Sequence, residues 1–262
     1  MARRRFFVPS LRHGLAELTG DDAHHLTRVL RVEAGQRYEI VSGGAVYLGE
    51  VEEARKSRVV FRAIEAVEPH PLPVRVTLFF ALIKFDRLEL LLEKGTEAGV
   101  ERFVPVIAER SERGLERAVE KRKSRWERIV LESAQQSRRD AVPVISDPMP
   151  FRRCASRVEC DPAAGARLLL DESRDAPPLL AVFPGRLDRG EDIPCVELLL
   201  GPEGGWTEAE REFAIGEGWR PVSLGPQILR SETAAVVSVS LTIAAWVGGR
   251  FSGAGPGEAS TM

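Results

Sequence analysis

Over the first seventy residues, apolar positions come in short runs with polar neighbours, broken by turn signals. FFV (6–8), YEIVS (38–42), AVYLGEVEEA (45–54) and VVFRAIEAV (59–67) read as strands, and DDAHHLTRVL (21–30) as a small helical patch. Gly43-Gly44 supplies the turn between two of these strands. Strands of this length at this spacing predict a small β-barrel. EPHPLP (68–73) supports neither helix nor sheet, because its three prolines lack the backbone donor that either needs. A domain boundary is expected there, with one domain over 1–70 and a second over 74–250, followed by a flexible tail over 251–262.

Beyond the boundary the pattern changes to strand and helix in alternation. VTLFFAL (76–82), FVPVI (103–107), RLLLD (167–171), CVELLLG (195–201) and PVSLG (221–225) read as buried strands. DRLELLLEKGTEAGV (86–100) places Leu88, Leu91 and Leu92 on one stripe and ends near Gly99. KRKSRWERIVLESAQQS (121–137) lines up Trp126, Ile129, Val130, Ser133 and Ala134 and leaves its basic residues on the opposite face. In TEAEREFAIGEG (207–218), Thr207 and Glu210 have capping-box spacing. A final helix over 231–247 is apolar nearly all round, which calls for burial. Helices between consecutive apolar strands predict an α/β domain with a mostly parallel sheet.

Composition narrows the classes. The chain has 262 residues, of which 44% are hydrophobic, enough for a core without staples. Cys154, Cys160 and Cys195 form no CxxC pair and have no histidine cluster nearby, so neither a disulfide framework nor a metal site is suggested, and a reducing cytoplasm fits. The basic start MARRRFFVPS runs into polar residues rather than an export signal. The longest apolar run, AAVVSVSLTIAAWVGG, is interrupted by Ser238, Ser240 and Thr242 and falls short of the roughly 20 residues of a membrane span.

Net charge is only −2, but its distribution is uneven. Arg110, Arg113, Arg117, Lys121, Arg122, Lys123, Arg125, Arg128 and Arg138 cluster within 102–139, whereas 191–217 is acidic with Arg211 its one base. The basic run reads either as a phosphate-contacting surface or as a solvated helix face.

Candidate chemistry follows the last two strands, where α/β folds place ligands. LLLGPEGGW (198–206) and SLGPQILRSETAA (223–235) carry glycines that let main chain approach a ligand, although GPEGG alone is also an ordinary strand-to-helix turn. No GxGxxG follows the first strand and no GxxxxGK[ST] is present, so a diphosphate cradle is not supported.

GPEGGW followed some twenty residues later by LGPQILRSETA resembles the RsmE family of the SPOUT superfamily, ribosomal RNA uridine-N3 methyltransferases. The likeness extends through RRFFV, HHLTRVLRV, KFDRLELLLEKGTEAGV, ERSER and ESAQQSRRDAVP, nearly the whole chain. It implies a PUA-like N-terminal barrel that holds RNA, a C-terminal domain tied in a trefoil knot, a homodimer, and 16S ribosomal RNA as substrate, within an assembling 30S particle. It also implies S-adenosyl-L-methionine as cofactor, held by Leu169, Leu170, Leu200, Gly201, Glu203, Gly204, Leu224, Gly225, Ile228, Leu229 and Arg230. No metal and no membrane are expected. A knotted methyltransferase acting on ribose 2′-hydroxyl or another base, or a non-catalytic RNA-binding protein, are the alternatives.

Two departures from the family pattern stand out: Gln227 and Ser231 replace the usual arginine and threonine, and Phe85 interrupts the familiar KGDR. Arg230 is the candidate for stabilising charge on the uracil carbonyls, and Glu232 for taking or positioning the N3 proton or merely capping a helix. Arg4, Arg5, Arg28 and Arg31, with Arg122, Lys123 and Arg125, are the candidate RNA contacts, Phe6 and Phe7 read as barrel core before base-stacking, and His24 and His25 as capping or RNA-contact residues.

Overall fold

The computed structural model describes residues 4–112, 114–158, 165–173, 175–183 and 195–252, with side chains to 247. The chain divides into two compact units, Met1–Pro71 with Leu131–Val142, and Leu72–Val130 with Pro143–Met262. The expected tail lies, from residue 253, outside the described residues.

In the first unit, β1 (Arg5–Phe7), β2 (Leu15–Thr19), β3 (Arg37–Ser42), β4 (Ala45–Arg55) and β5 (Arg58–Val67) form one sheet in the order β1-β3-β4-β5-β2. β1 runs parallel to β3, and the other pairs are antiparallel. Helix α1 (Gly20–Arg28) buries Ala23 and Leu26 in a core with Phe6, Leu18, Ile40, Val59 and Phe61. Phe6 packs its ring on Tyr38 and Phe61 at centroid separations of 5.0 and 5.8 Å, which fixes it as core.

Segment 131–142 belongs to this unit through ionic bonds that no periodicity reveals. Arg5 Nε donates to Glu39 Oε2 at 2.9 Å and its Nη1 to the Arg138 carbonyl at 2.7 Å, while Arg138 pairs with Glu39 and Arg5 with Asp140. Arg5 is 4% exposed, so its guanidinium serves the interior of the unit rather than the outer surface expected of a phosphate contact. Burial alone would raise the Glu39 carboxyl, but hydrogen bonds from Arg138 and Arg5 outweigh it and hold the group below the usual carboxylate range.

The second unit is built on a parallel sheet of β6 (Arg75–Ala81), β7 (Val100–Ile107), β8 (Val144–Ile145), β9 (Met149–Pro150), β10 (Gly165–Leu170), β11 (Cys195–Leu200) and β12 (Arg220–Val222). The order is β12-β10-β11-β6-β7-β8, with β9 also pairing with β7. Between strands run α2 (Phe85–Ala98), α3 (Leu115–Gln136), α4 (Phe151–Ser156) and α5 (Glu208–Gly216), and α6 (Ser231–Ser252) follows β12. Residues from Leu131 onward in α3 fall in the first unit.

Local chemistry explains the helix ends. Gly99 takes the left-handed conformation (φ +118°) that terminates α2, its N–H donating to Gly95 and Thr96. Thr207 and Glu210 form the capping box at the start of α5. The core gathers Phe79, Val104, Leu169, Leu199, Ala214 and Trp219, the last edge-on to Phe79 and donating Nε1 to the Ala155 carbonyl at 2.9 Å.

Within this sheet lies a buried ion pair between register partners, Arg167 Nε to Glu197 Oε2 at 2.8 Å. It is tolerated because the same guanidinium also donates to the carbonyls of Ala155, Arg157 and Glu217, leaving few of its donors unmet.

The cysteine reading needs correction: Cys195 is disulfide-bonded, while Cys160 lies outside the described residues. Cys154 is free, and burial pushes its thiol up to about 12. Among the described residues, no helix is long and apolar enough to cross a membrane, and no cluster of three His, Cys, Asp or Glu could hold a metal ion.

Candidate active site

Three adjacent parallel strands, β12, β10 and β11, end at Val222, Leu170 and Leu200, and the loops beyond those ends enclose a half-open cavity of about 140 Å³. Sheet order creates the crevice, because chains leaving neighbouring strands diverge here and expose loop backbone. From the β10 end come Leu170, Asp171 and Glu172; from the β11 end Leu200, Gly201, Pro202, Gly205 and Trp206; from the β12 end Ser223, Leu224, Gly225, Gln227, Ile228 and Leu229. Ser231, Ala234 and Arg211 complete the wall.

Specific bonds hold the loops in place. The Asp171 N–H donates to Val222, and Ser223 exchanges main-chain bonds with Pro177 and Leu179, so the first and third loops brace each other. Arg211, reaching back from α5, donates Nε to Asp171 Oδ2 at 2.6 Å, and Ser231 Oγ donates to the Gly201 carbonyl at 3.3 Å. The Gly225 N–H meets the Ser223 hydroxyl at 3.1 Å. The cleft thus offers leucine and isoleucine walls to a flat apolar group and main-chain polar atoms at its rim. Trp206 lines that wall with its Nε1 buried beside Gly201 and without a hydrogen-bond partner.

Of the residues expected to hold a cofactor, Leu170, Leu200, Gly201, Leu224, Gly225, Ile228 and Leu229 line this cleft. Leu169 lies one residue deeper, wholly buried in the sheet core. Glu203 points to α2, where Arg87 Nη1 meets its Oε1 at 3.2 Å. A Cβ on Gly204 would face the Arg110 side chain at 3.4 Å, whereas one on Gly205 would come within 3.0 Å of Glu172 Oε1, so the glycine turned to the cleft is Gly205 (φ +69°). Arg230 is exposed at the start of α6, between cleft residues Leu229 and Ser231. Glu232 is 9% exposed, and its Oε2 has no partner.

The sequence reading did not name Asp171 and Glu172 for the site, although both stand just past the end of β10, the signal that could have found them, while Trp206 closes the LLLGPEGGW segment that it did single out. Arg211 left no such signal, because it reaches the cleft across a helix turn.

The candidate RNA contacts divide into two sets. Arg28 and Arg31 are exposed, and Arg4 is half-buried. On α3, Arg125 grips Glu89 with two bonds of 2.7 Å, Arg122 donates to the same carboxylate at 3.1 Å, and Lys123 pairs with Asp147 at 2.6 Å. The Arg125 bonds hold Glu89 below the usual carboxylate range. Much of the apparent positive face is therefore matched locally by acid.

A family model described as an RNA methyltransferase domain matches residues 70–243, and one described as an RNA methyltransferase PUA domain matches 18–64. Ribosomal RNA small subunit methyltransferase E of Synechocystis is 34% identical over 85% of this chain and 71% of its own length. The chain belongs to the ribosomal RNA small subunit methyltransferase E family. The Bacillus subtilis member is 30% identical over 90% of this chain and 94% of its own. Among solved structures, the Neisseria gonorrhoeae member bound to S-adenosyl methionine superposes with a TM-score of 0.81 at 28% identity, covering 94% of this chain and 98% of that one. The fold of this family is thus an α/β methyltransferase domain joined to a PUA domain.

Proposed function

We propose that this methyltransferase takes the methyl group of S-adenosyl-L-methionine and places it on N3 of one uridine in 16S ribosomal RNA. The observation that carries the reading is the cleft at the ends of β10, β11 and β12. Its apolar walls suit adenine, and its rim of loop backbone suits hydrogen bonding to the base edge. The S-adenosyl methionine complex of the Neisseria relative supports the same assignment.

The cofactor, when bound, supplies an electrophilic methyl on sulfonium sulfur. The protein must then strip the N3 proton and stabilise the charge left on the flanking uracil oxygens. Arg230, exposed beside the cleft, is the group assigned to that charge. Glu232, nearly buried with one oxygen unpaired, is assigned to the proton or to positioning the base. Phosphates fall to Arg4, Arg28 and Arg31 and to those α3 cations that can leave Glu89 and Asp147.

The trefoil threading, the homodimer, the 30S particle as the form in which RNA is met, and the cytoplasm as the place belong to the same proposal. The apolar side of α6, with Val247 exposed and Val236, Val237 and Leu241 half-buried, is what a second subunit would cover. With Cys195 paired, the cytoplasmic assignment rests on the ribosomal substrate and no longer on cysteine usage.

The test is to incubate 30S particles from a strain lacking the gene with protein and labelled cofactor, and to map the product. Label on uridine N3 is expected. Label on a ribose 2′-hydroxyl, or none, would overturn the assignment, and light scattering at a single chain mass for fully active protein would remove the dimer.

A further inference from the structure

Resting on the cofactor reading above, we infer that Arg110 is a positioning residue for S-adenosylmethionine, because its guanidinium locks the peptide planes on both sides of the Gly205–Trp206 wall. Arg110 stands just past the end of β7, away from the three strands that form the cleft. Its Nη1 donates to the Gly204 carbonyl at 2.7 Å and to the Trp206 carbonyl at 3.2 Å.

Each of those peptides is also held at its other end. The N–H of Gly205 donates to the Pro202 carbonyl at 2.9 Å, closing a tight turn. The N–H of Thr207 donates to Glu210 Oε2 at 3.0 Å, within the capping box. A planar trans peptide with both its C=O and its N–H fixed has no freedom to rotate. Two such peptides leave only the Gly205–Trp206 peptide between them, and these two residues line the cleft.

The neighbour of Arg110 strengthens the same joint. The Glu109 N–H donates to Glu210 Oε1 at 2.8 Å, so the carboxylate that caps α5 also grips the β7 loop. The methylenes of Arg110 lie 3.4 to 4.0 Å from where a Cβ on Gly204 would stand, so the loop is backed as well as bonded. A ligand that relies on main-chain atoms needs them fixed before it arrives, since ordering them on binding subtracts from affinity.

The experiment compares wild type, Arg110→Ala and Arg110→Lys by calorimetry with S-adenosylmethionine and by steady-state methylation of 16S RNA. Arg110→Ala should weaken cofactor binding roughly tenfold, the scale of one lost charge-assisted bond. The cofactor KM should rise in step, with kcat, RNA affinity and the unfolding temperature of the free protein nearly unchanged, which a merely structural residue would not give. Lysine should restore only part of the affinity, because it keeps the charge without the planar fork. Unchanged cofactor affinity in Arg110→Ala would overturn the inference. So would a defect confined to RNA affinity with a flatter salt dependence, which would make Arg110 a phosphate contact. A wild-type protein that binds no S-adenosylmethionine would instead sink the functional reading, and this inference with it.

Discussion

Gly204 and Gly205 are neighbours in one loop, and the structure gives them opposite sensitivities. At Gly205 the backbone sits at φ +69°, and a Cβ would come to 3.0 Å from Glu172 Oε1. The carboxylate is the far end of a flexible side chain and can move aside, so backbone strain dominates. Holding an L-residue in the left-handed region costs about 1–2 kcal/mol. If Gly205→Ala keeps the loop in place, that strain should appear as a loss of roughly 2–8 °C in unfolding temperature for a unit of this size. If the loop relaxes instead, the strain returns when ligand demands the original backbone, and affinity should fall roughly 5- to 30-fold. At Gly204 the backbone is not left-handed, and a Cβ would meet Arg110 Cδ at 3.4 Å and Cβ at 3.5 Å, ordinary contact. Gly204→Ala should therefore change affinity by no more than about twofold, well under the ~1.4 kcal/mol that separates decades. Calorimetry with S-adenosylmethionine and thermal unfolding of the ligand-free protein measure both quantities. A Gly205→Ala protein normal in both, or a Gly204→Ala protein more damaged than its neighbour, would refute the placement of the cleft on the Gly205 side.

Arg230→Ala should lower turnover by about a hundredfold with little loss of RNA affinity, the scale of one removed oxyanion donor; near-normal turnover would take Arg230 out of the mechanism. If Glu232 accepts the N3 proton, the turnover defect of Glu232→Gln should shrink as pH rises and the uridine ionises unaided, whereas a flat defect would leave Glu232 a structural role. Arg167→Met breaks the buried pair with Glu197 and the bonds to three carbonyls, and should destabilise the second unit by about 3–5 kcal/mol, read from tryptophan fluorescence because Trp126, Trp206, Trp219 and Trp246 all lie in that unit. Because the folded-state pKa of Glu39 is depressed, its contribution is present above the usual carboxylate range and lost as pH falls through the lower, folded value. Hydrogen exchange in β3 should accelerate on that acid limb, and Glu39→Gln should remove the limb at the expense of stability at neutral pH.

The elements legible in the sequence were those with a strong apolar period. β6, β10 and β11 are nearly continuous apolar runs because both faces are covered, and α2 shows its buried stripe of Leu88, Leu91 and Leu92 directly. β2 escaped because its alternation covers only five residues and leaves Leu15 39% exposed. β8 and β9 have two residues each, too few to carry a period. Membership of 131–142 in the first unit was invisible for another reason: it depends on Arg5 meeting Arg138 and Asp140, residues more than a hundred and thirty positions apart. The cleft was legible as two glycine loops after two strands. Its third wall, Asp171 and Glu172, needed the knowledge that β10 lies between β12 and β11.

Charge was the least legible property, for one physical reason. A guanidinium carries five donors, and this fold spends many of them on its own carbonyls and carboxylates. Arg5 ties a returning segment to β3, Arg167 joins two central strands, Arg211 braces the first cleft loop, and Arg110 holds the second. Counting such residues as a polyanion surface overstates it, because a cation already paired must lose its carboxylate before a phosphate can replace it. For Arg125 the exchange is between two anions of similar geometry at an exposed site, so little net energy separates them. For Arg5, nearly fully buried, the exchange would open the unit. Arg28 and Arg31, exposed at and just beyond the end of α1 and within the PUA match, would face no such cost, and burial therefore favours that helix end over α3 as the proposed centre of RNA contact.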